Sequence, residues 1–171
     1  QGKIRYCALS TFPGWELTEA MLISQQLGLN TPVCHQIRYN LIDRRPEHEV
    51  IPASNHFGVS LTAFSPLDGG IIAGPEIGNR APRFQSALNQ GRPAFSDFQI
   101  AVASKLEILG GEWGYRPSQL GLAWLLSRPG VASAIVGPET IEELEEDVTS
   151  LDVDLDSDQM RILDEILNGP N

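Results

Sequence analysis

Lysine is scarce in this chain: only Lys3 and Lys105 occur, and with the arginines the positive side chains total 12 against 22 carboxylates. The resulting net charge of -10 repels nucleic-acid phosphates and anionic lipid surfaces, so neither fits as a partner. Long apolar runs are also lacking. No segment reads as a membrane span, the first residues carry no charged-then-apolar leader, and the expectation is a cytoplasmic protein. Cysteine occurs twice. Alternation along two different strands places Cys7 on the face opposite Ser10 and Cys34 on the same face as Gln36. If those strands are neighbours, the thiols lie on opposite faces of a sheet and no disulfide forms. No metal-ligand cluster, nucleophile elbow or phosphate-binding loop motif is present.

What the chain does contain is a repeated strand-helix unit. Its most informative stretch is GVSLTAFSPLDGG, Gly58 to Gly70. Val59, Leu61 and Ala63 alternate with Ser60, Thr62 and Phe64, a strand with one aliphatic face and one polar face that ends in an aromatic. Ser65, Pro66, Leu67 and the glycines at 69 and 70 then make a loop whose backbone can approach a ligand closely. Before it, Ile4 to Ser10 reads as a strand. Thr11 and Pro13 open a helix with Leu17, Ala20, Met21 and Leu27 inward and Gly28 at its end. Val33 to Ile37 is a second strand, and Pro46 to Phe57 a helix that Pro52 should kink or shorten. Residues 68–95 read as one long irregular loop. Helices are predicted over 96–109 and 117–127, and a strand over Val131 to Val136. Two helices follow, capped by Thr140 with Glu143 and by Ser157, with Leu144 and Val148 as the apolar face of the first and Gly169-Pro170 ending the second. Between Glu139 and Asp158 lie ten acidic residues and no basic one, the pattern of a solvated helix face.

Four strands each followed by helix form parallel βαβ units in one α/β domain spanning residues 1–171. A doubly wound dinucleotide fold places a glycine-rich turn after its first strand, whereas this chain has Ser10-Thr11-Phe12-Pro13 there. A (β/α)8 barrel needs eight units and typically about 250 residues. The pattern is that of half a TIM barrel.

The segments GKIRYCALSTF, QIRYNLIDRRPEHEVIP, LTAFSPLDGGIIAG, PSQLGLAWLLSRPGVASAIVG and TIEELEEDV resemble, in order, the carboxyl-terminal half of the aldo-keto reductase family, with similarity from Gly2 to about Leu167. The resemblance implies a TIM-type barrel that reduces aldehydes and ketones with NADP or NAD, the four strands here being its fifth to eighth, in the last four βα units, followed by a closing helix. It implies that Ser10 and Gln36 hold a nicotinamide carboxamide, with Thr11 where the family usually has Asn. It implies that Phe64 replaces a tyrosine stacked on the nicotinamide ring, that Ser65, Pro66, Leu67 and Gly69 run beside the pyrophosphate, and that Gly137 with Glu146 and Asp147 stands at the adenine end. There the family usually has a Glu-Asn pair and a Lys or Arg for the 2′-phosphate, but this chain has Glu139, Glu142 and Glu143. Arg80, Arg83 and Arg92 on the long loop are the cations that could compensate.

The family's catalytic Asp, Tyr, Lys and His lie on the first four barrel units, so the resemblance assigns no catalytic residue to this chain. Tyr39, Asp43 and Arg44 follow the second strand and are the local candidates for the pocket mouth, with no lysine near them. His35 reads as a buried structural histidine, and His48 and His56 as surface residues. The implied partners are a nicotinamide cofactor, a small carbonyl substrate, and a companion half-barrel or second copy covering the two unpaired strands. The alternative is a non-catalytic binding or scaffold module on the same framework.

Overall fold

In the computed structural model, which describes residues 2–76, 82–91 and 93–167, four strands form one sheet. They are β1 (Ala8–Ser10), β2 (Cys34–Arg38), β3 (Ser60–Phe64) and β4 (Val131–Ile135), adjacent in chain order and all parallel. A doubly wound sheet reverses its strand order at a switch point. This one never reverses, which is the progression of a barrel wall. The helices are α1 (Gly14–Gln26), α2 (Val50–Phe57), α3 (Pro82–Asn89), α4 (Asp97–Trp113), α5 (Pro117–Leu126), α6 (Ile141–Thr149) and α7 (Ser157–Asp164).

The twofold period of the strands separates two faces. His35, Ile37, Leu61 and Ala63 are buried beneath the helices, where Leu61 and Ala63 join Leu106, Leu120, Trp124 and Leu125 in the main core. A smaller cluster of Leu17, Met21 and Val59 binds α1 to the start of β3. The opposite face carries Ser10, Gln36, Arg38, Thr62 and Phe64, which are exposed or half-buried. Trp124 anchors the carboxyl-terminal helix: its indole N–H donates to Asp164 Oδ1 at 2.8 Å, and the Arg44 and Arg128 guanidinium groups lie 5.0 and 4.8 Å from its ring centre.

Several expectations change. β1 begins at Ala8 rather than Ile4, and Ile4 and Tyr6 are exposed. The pairing with the segment before β2 reaches back to Cys7, whose O accepts from Val33 N at 3.0 Å. Leu27 lies past the end of α1 and is exposed. The segment 46–57 divides into a 3-10 turn at Arg45–Glu47 and α2. Pro52 does not kink it, because the first bond of α2 runs from Ala53 N to Glu49 O (3.0 Å) and Pro52 sits in the first turn, where no N–H is needed. Residues 68–95 are not one irregular loop: they contain a 3-10 turn at Asp68–Ala73 and α3.

Helix α4 runs past Leu109 to Trp113 despite the glycines at 110 and 111. Gly110 allows a close approach, since a Cβ there would lie 2.6 Å from Tyr115 O. The cap of α7 is Asp156 rather than Ser157: Asp156 accepts from Gln159 N at 2.8 Å, and Gln159 accepts from Asp156 N at 3.0 Å. Gly169 and Pro170 lie outside the described residues. Leu144 and Val148 of α6 do not pack inward. They are exposed, with Ile141 and Leu151, in one apolar stripe.

Candidate functional site

The carboxyl ends of the strands bring together most of the residues that the sequence singles out. Ser10, Gln36 and Thr62 are register partners on three adjacent strands, so their side chains form one row on the open face. Phe64 pairs with Arg38 two residues nearer the edge. Ser10 Oγ and Thr11 Oγ1 are 3.1 Å apart. Thr11 has φ 63, an uncommon conformation for a threonine. Two bonds hold it there: Thr11 N donates to Gln36 O at 2.9 Å and Phe12 N donates to His35 Nε2 at 3.1 Å. His35 is therefore the buried structural histidine expected, with the proton on Nδ1, and burial lowers its pKa.

The loop after β3 is equally constrained. Ser65 has φ 52, Asp68 φ 50 and Gly69 φ 76. Pro66 is buried and Leu67 partly so. Asn40 ties this loop to the one after β2, because its Nδ2 donates to Ser65 O at 2.9 Å while its Oδ1 accepts from Ile42 N and Asp43 N at 2.9 and 2.7 Å. Sequence reasoning missed Asn40. The available signal was an Asn three residues before an Asp directly after a strand, the signature of an Asx-type turn. It also missed Arg38 and Asp68, which form an ion pair at the same edge.

Tyr39 and Arg44 pack against Trp124 rather than on the open face, whereas Asp43 meets that face at its edge through Arg38. Tyr39 is 1% exposed, its ring centre lies 5.5 Å from that of Trp124, and its hydroxyl donates to Glu47 Oε1 at 2.7 Å. Burial first, and the Glu47 carboxylate second, push its pKa far above the tyrosine range. Asp43 pairs with Arg38 and Arg45, and Arg44 is bound to Glu47 and to Asp164 O. His48 and His56 are on the surface. An open groove of about 610 Å³ between α1 and α2, lined by Leu22, Ala53, His56 and Phe57 among others, contains none of the residues assigned to the cofactor.

Gly137 lies just past β4 and is exposed, while Glu146 and Asp147 are on α6. Ser118 of α5 donates a hydrogen bond to Glu146 Oε1. Asp147 is 8% exposed, and burial, then the charges of Glu146 and Glu143, push its pKa up to about 6. At the amino end of α6, Thr140 Oγ1 accepts from Glu143 N at 3.2 Å, but the Glu143 carboxylate reaches Glu139 N (2.6 Å) rather than Thr140 N. Hydrogen bonds to its own backbone and to Thr140 hold the exposed Glu142 below the usual carboxylate range. This helix terminus is acidic. Arg80, Arg92 and the side chain of Arg83 lie outside the described residues. Both cysteines are free, with Cys34 Sγ 3.0 Å from Thr62 Oγ1. Among the described residues no group of three or more His, Cys, Asp or Glu could hold a metal ion, and no helix is long and apolar enough to cross a membrane.

A parallel wall of βα units with polar side chains and an aromatic at its carboxyl edge is the construction of a (β/α)8 enzyme class. The chain belongs to the aldo/keto reductase family, whose profile matches residues 1–168. It is 30% identical over 169 residues to an uncharacterized oxidoreductase, YrpG, of Bacillus subtilis, covering 99% of this chain and 51% of that protein. It is 32% identical to versiconal hemiacetal acetate reductase of Aspergillus parasiticus, covering 96% and 48%. A putative voltage-gated potassium channel subunit beta of Schizosaccharomyces pombe is 30% identical, with 98% and 51% covered. The chain thus spans about half the length of the curated relatives it matches.

Proposed function

We propose that this chain is the cofactor-holding half of a cytoplasmic NAD(P)H-dependent carbonyl reductase, completed by the first four βα units, carried either on a longer form of the same chain or on a companion. The observation that carries the reading is the sheet face turned away from the main core, where Ser10, Gln36 and Thr62 stand in one row with Phe64 beyond them. A carboxamide presents one acceptor and two donors, and a serine hydroxyl, a threonine hydroxyl and a glutamine amide at strand ends match that set. The Phe64 ring offers a face for a nicotinamide, worth about 1 kcal/mol beyond burial. The left-handed backbone at Ser65 and the glycine at 69 let the main chain of Ser65, Pro66 and Leu67 approach a pyrophosphate. Gly137, Glu146 and Asp147 stand at the adenine end. A bound nicotinamide supplies hydride to the substrate's carbonyl carbon, and the proton comes from those first four units, since Tyr39 is buried and bound to Glu47.

Both flanks of the wall support a companion. Helix α1 exposes Trp15, Leu22 and Ile23, with Leu27 just past its end, and the α6 side exposes Ile141, Leu144, Val148 and Leu151 at helical spacing. Covering side chains of this size contributes roughly 1 kcal/mol or more each. The test is co-expression with the amino-terminal half of the Bacillus subtilis relative. NADPH-dependent reduction of small aldehydes by the pair, and by neither half alone, is the expected result; a pair that assembles without turnover or dinucleotide binding refutes the reading. One observation favours a second reading, a non-catalytic binding module. Glu143 and Glu146 are engaged by Glu139 N and Ser118, and Asp147 is buried, so the adenine end carries carboxylates already held in place. Dinucleotide binding by the pair without turnover would favour that module.

A further inference from the structure

The carboxylate of Asp68 joins three separate segments. Its side chain is 2% exposed and pairs through Oδ1 with Arg38 Nη2, while its Oδ2 accepts from Gln99 Nε2 at 2.7 Å. Gln99 uses its other amide atom, Oε1, to accept from Ser96 N at 2.9 Å and Ser96 Oγ at 3.1 Å, which closes the amino terminus of α4. Arg38 is the last residue of β2, and its Nε also lies 3.4 Å from Asp43 Oδ2. One buried carboxylate therefore connects the end of β2, the turn after β3 and the start of α4.

A stable turn alone does not call for an aspartate here. At φ 50 a glycine would sit without strain, as Gly69 and Gly70 do at φ 76 and 99, whereas an aspartate pays for its Cβ and for the desolvation of its charge. Both costs are offset only while Arg38 and Gln99 hold the carboxylate. What the arrangement fixes is the backbone just before it: Asp68 N donates to Ser65 O at 3.0 Å, and Ile72 N to Leu67 O at 3.2 Å. Arg38 stands opposite Phe64 in the ladder, so the same contact relates the aromatic to the turn.

We propose that Asp68 and Arg38 are positioning residues for dinucleotide binding, a clamp that holds the Ser65, Pro66 and Leu67 backbone and the Phe64 ring in one arrangement. This rests on the cofactor reading above. Asp68→Asn separates the effects, because asparagine tolerates a positive φ and still accepts from Gln99 but cannot form the ion pair. Arg38→Gln removes the pair from the other side, and Arg38→Lys retains the charge.

NADPH is titrated into the complemented protein by tryptophan fluorescence, and amide hydrogen exchange is followed in the free 171-residue chain. Asp68→Asn and Arg38→Gln are each expected to weaken NADPH binding about tenfold, the double variant no more than either single one, and Arg38→Lys about threefold or less. In the free chain, exchange across residues 65–74 and the first turn of α4 is expected to accelerate in both single variants. Affinities within twofold of wild type, or losses that add in the double variant, overturn the clamp. If the wild type binds no NADPH, the cofactor reading and the proposed binding role fail together, and exchange then decides whether the contact orders the turn: unchanged rates at 65–74 overturn that as well.

Discussion

Replacing Asp147 with asparagine should make the protein more stable at neutral pH. Asp147 is 8% exposed in α6, one residue after Glu146 and four after Glu143, and its pKa is pushed up to about 6 from the usual 3.8, by burial first and then by those two charges. A carboxyl group whose folded pKa exceeds its unfolded one binds its proton more tightly in the folded state. Its favourable contribution is thus fully present below about pH 4 and is lost as pH rises through about 6. The difference, roughly 2 pK units, corresponds to on the order of 3 kcal/mol by pH 7 to 8. Asparagine has the shape of the protonated acid and carries no charge at any pH, so it avoids this loss. The assay is urea unfolding followed by circular dichroism from about pH 4 to pH 8. Asp147→Asn is expected to gain on the order of 1 to 3 kcal/mol at pH 8 and nothing at pH 4, with the crossover between them. Added salt should shrink the part due to Glu143 and Glu146 and leave the burial part. A variant no more stable than wild type at pH 8, or equally stabilised at both ends of the range, would refute the assignment.

Tyr39→Phe should cost on the order of 1 to 2 kcal/mol of stability through loss of the bond to Glu47, while turnover by the complemented protein stays unchanged; abolished turnover would show that Tyr39 is catalytic after all. Gly110→Ala places a Cβ 2.6 Å from Tyr115 O and should destabilise the α4–α5 junction by about 1 to 3 kcal/mol, read as a lower melting temperature, whereas the same change at Gly111, which meets nothing within 4 Å, should be neutral or stabilising. With Glu139, Glu142 and Glu143 at the amino end of α6, the complemented protein should discriminate weakly between NADPH and NADH. A preference for NADPH above about a hundredfold, roughly 2.7 kcal/mol, would mean that cations elsewhere serve the 2′-phosphate.

The sequence by itself determined the four strands, their parallel βα order and the half-barrel class, because alternation and capping are local properties. It also determined that Leu61 and Ala63 face the helices while Gln36 and Phe64 do not, since a period of two admits no other division once one face is apolar. It identified His35 as buried by the same rule. Only the tertiary structure decided where β1 begins, because Ile4 and Tyr6 are apolar enough for a strand but lie outside the ladder with β2 and are exposed. The fate of the glycines at 110 and 111 was equally illegible: they read as a helix end, yet α4 continues because the backbone of Tyr115 passes close by. Leu144 and Val148 read as a core face and are exposed, since amphipathicity records that a helix has an apolar side and not which surface covers it. The Asp68 contact belongs to the same class. Its partners stand 30 and 31 residues away in the chain, and no local pattern can show that a carboxylate in a glycine-rich turn will meet an arginine at the end of one strand and a glutamine at the start of a helix.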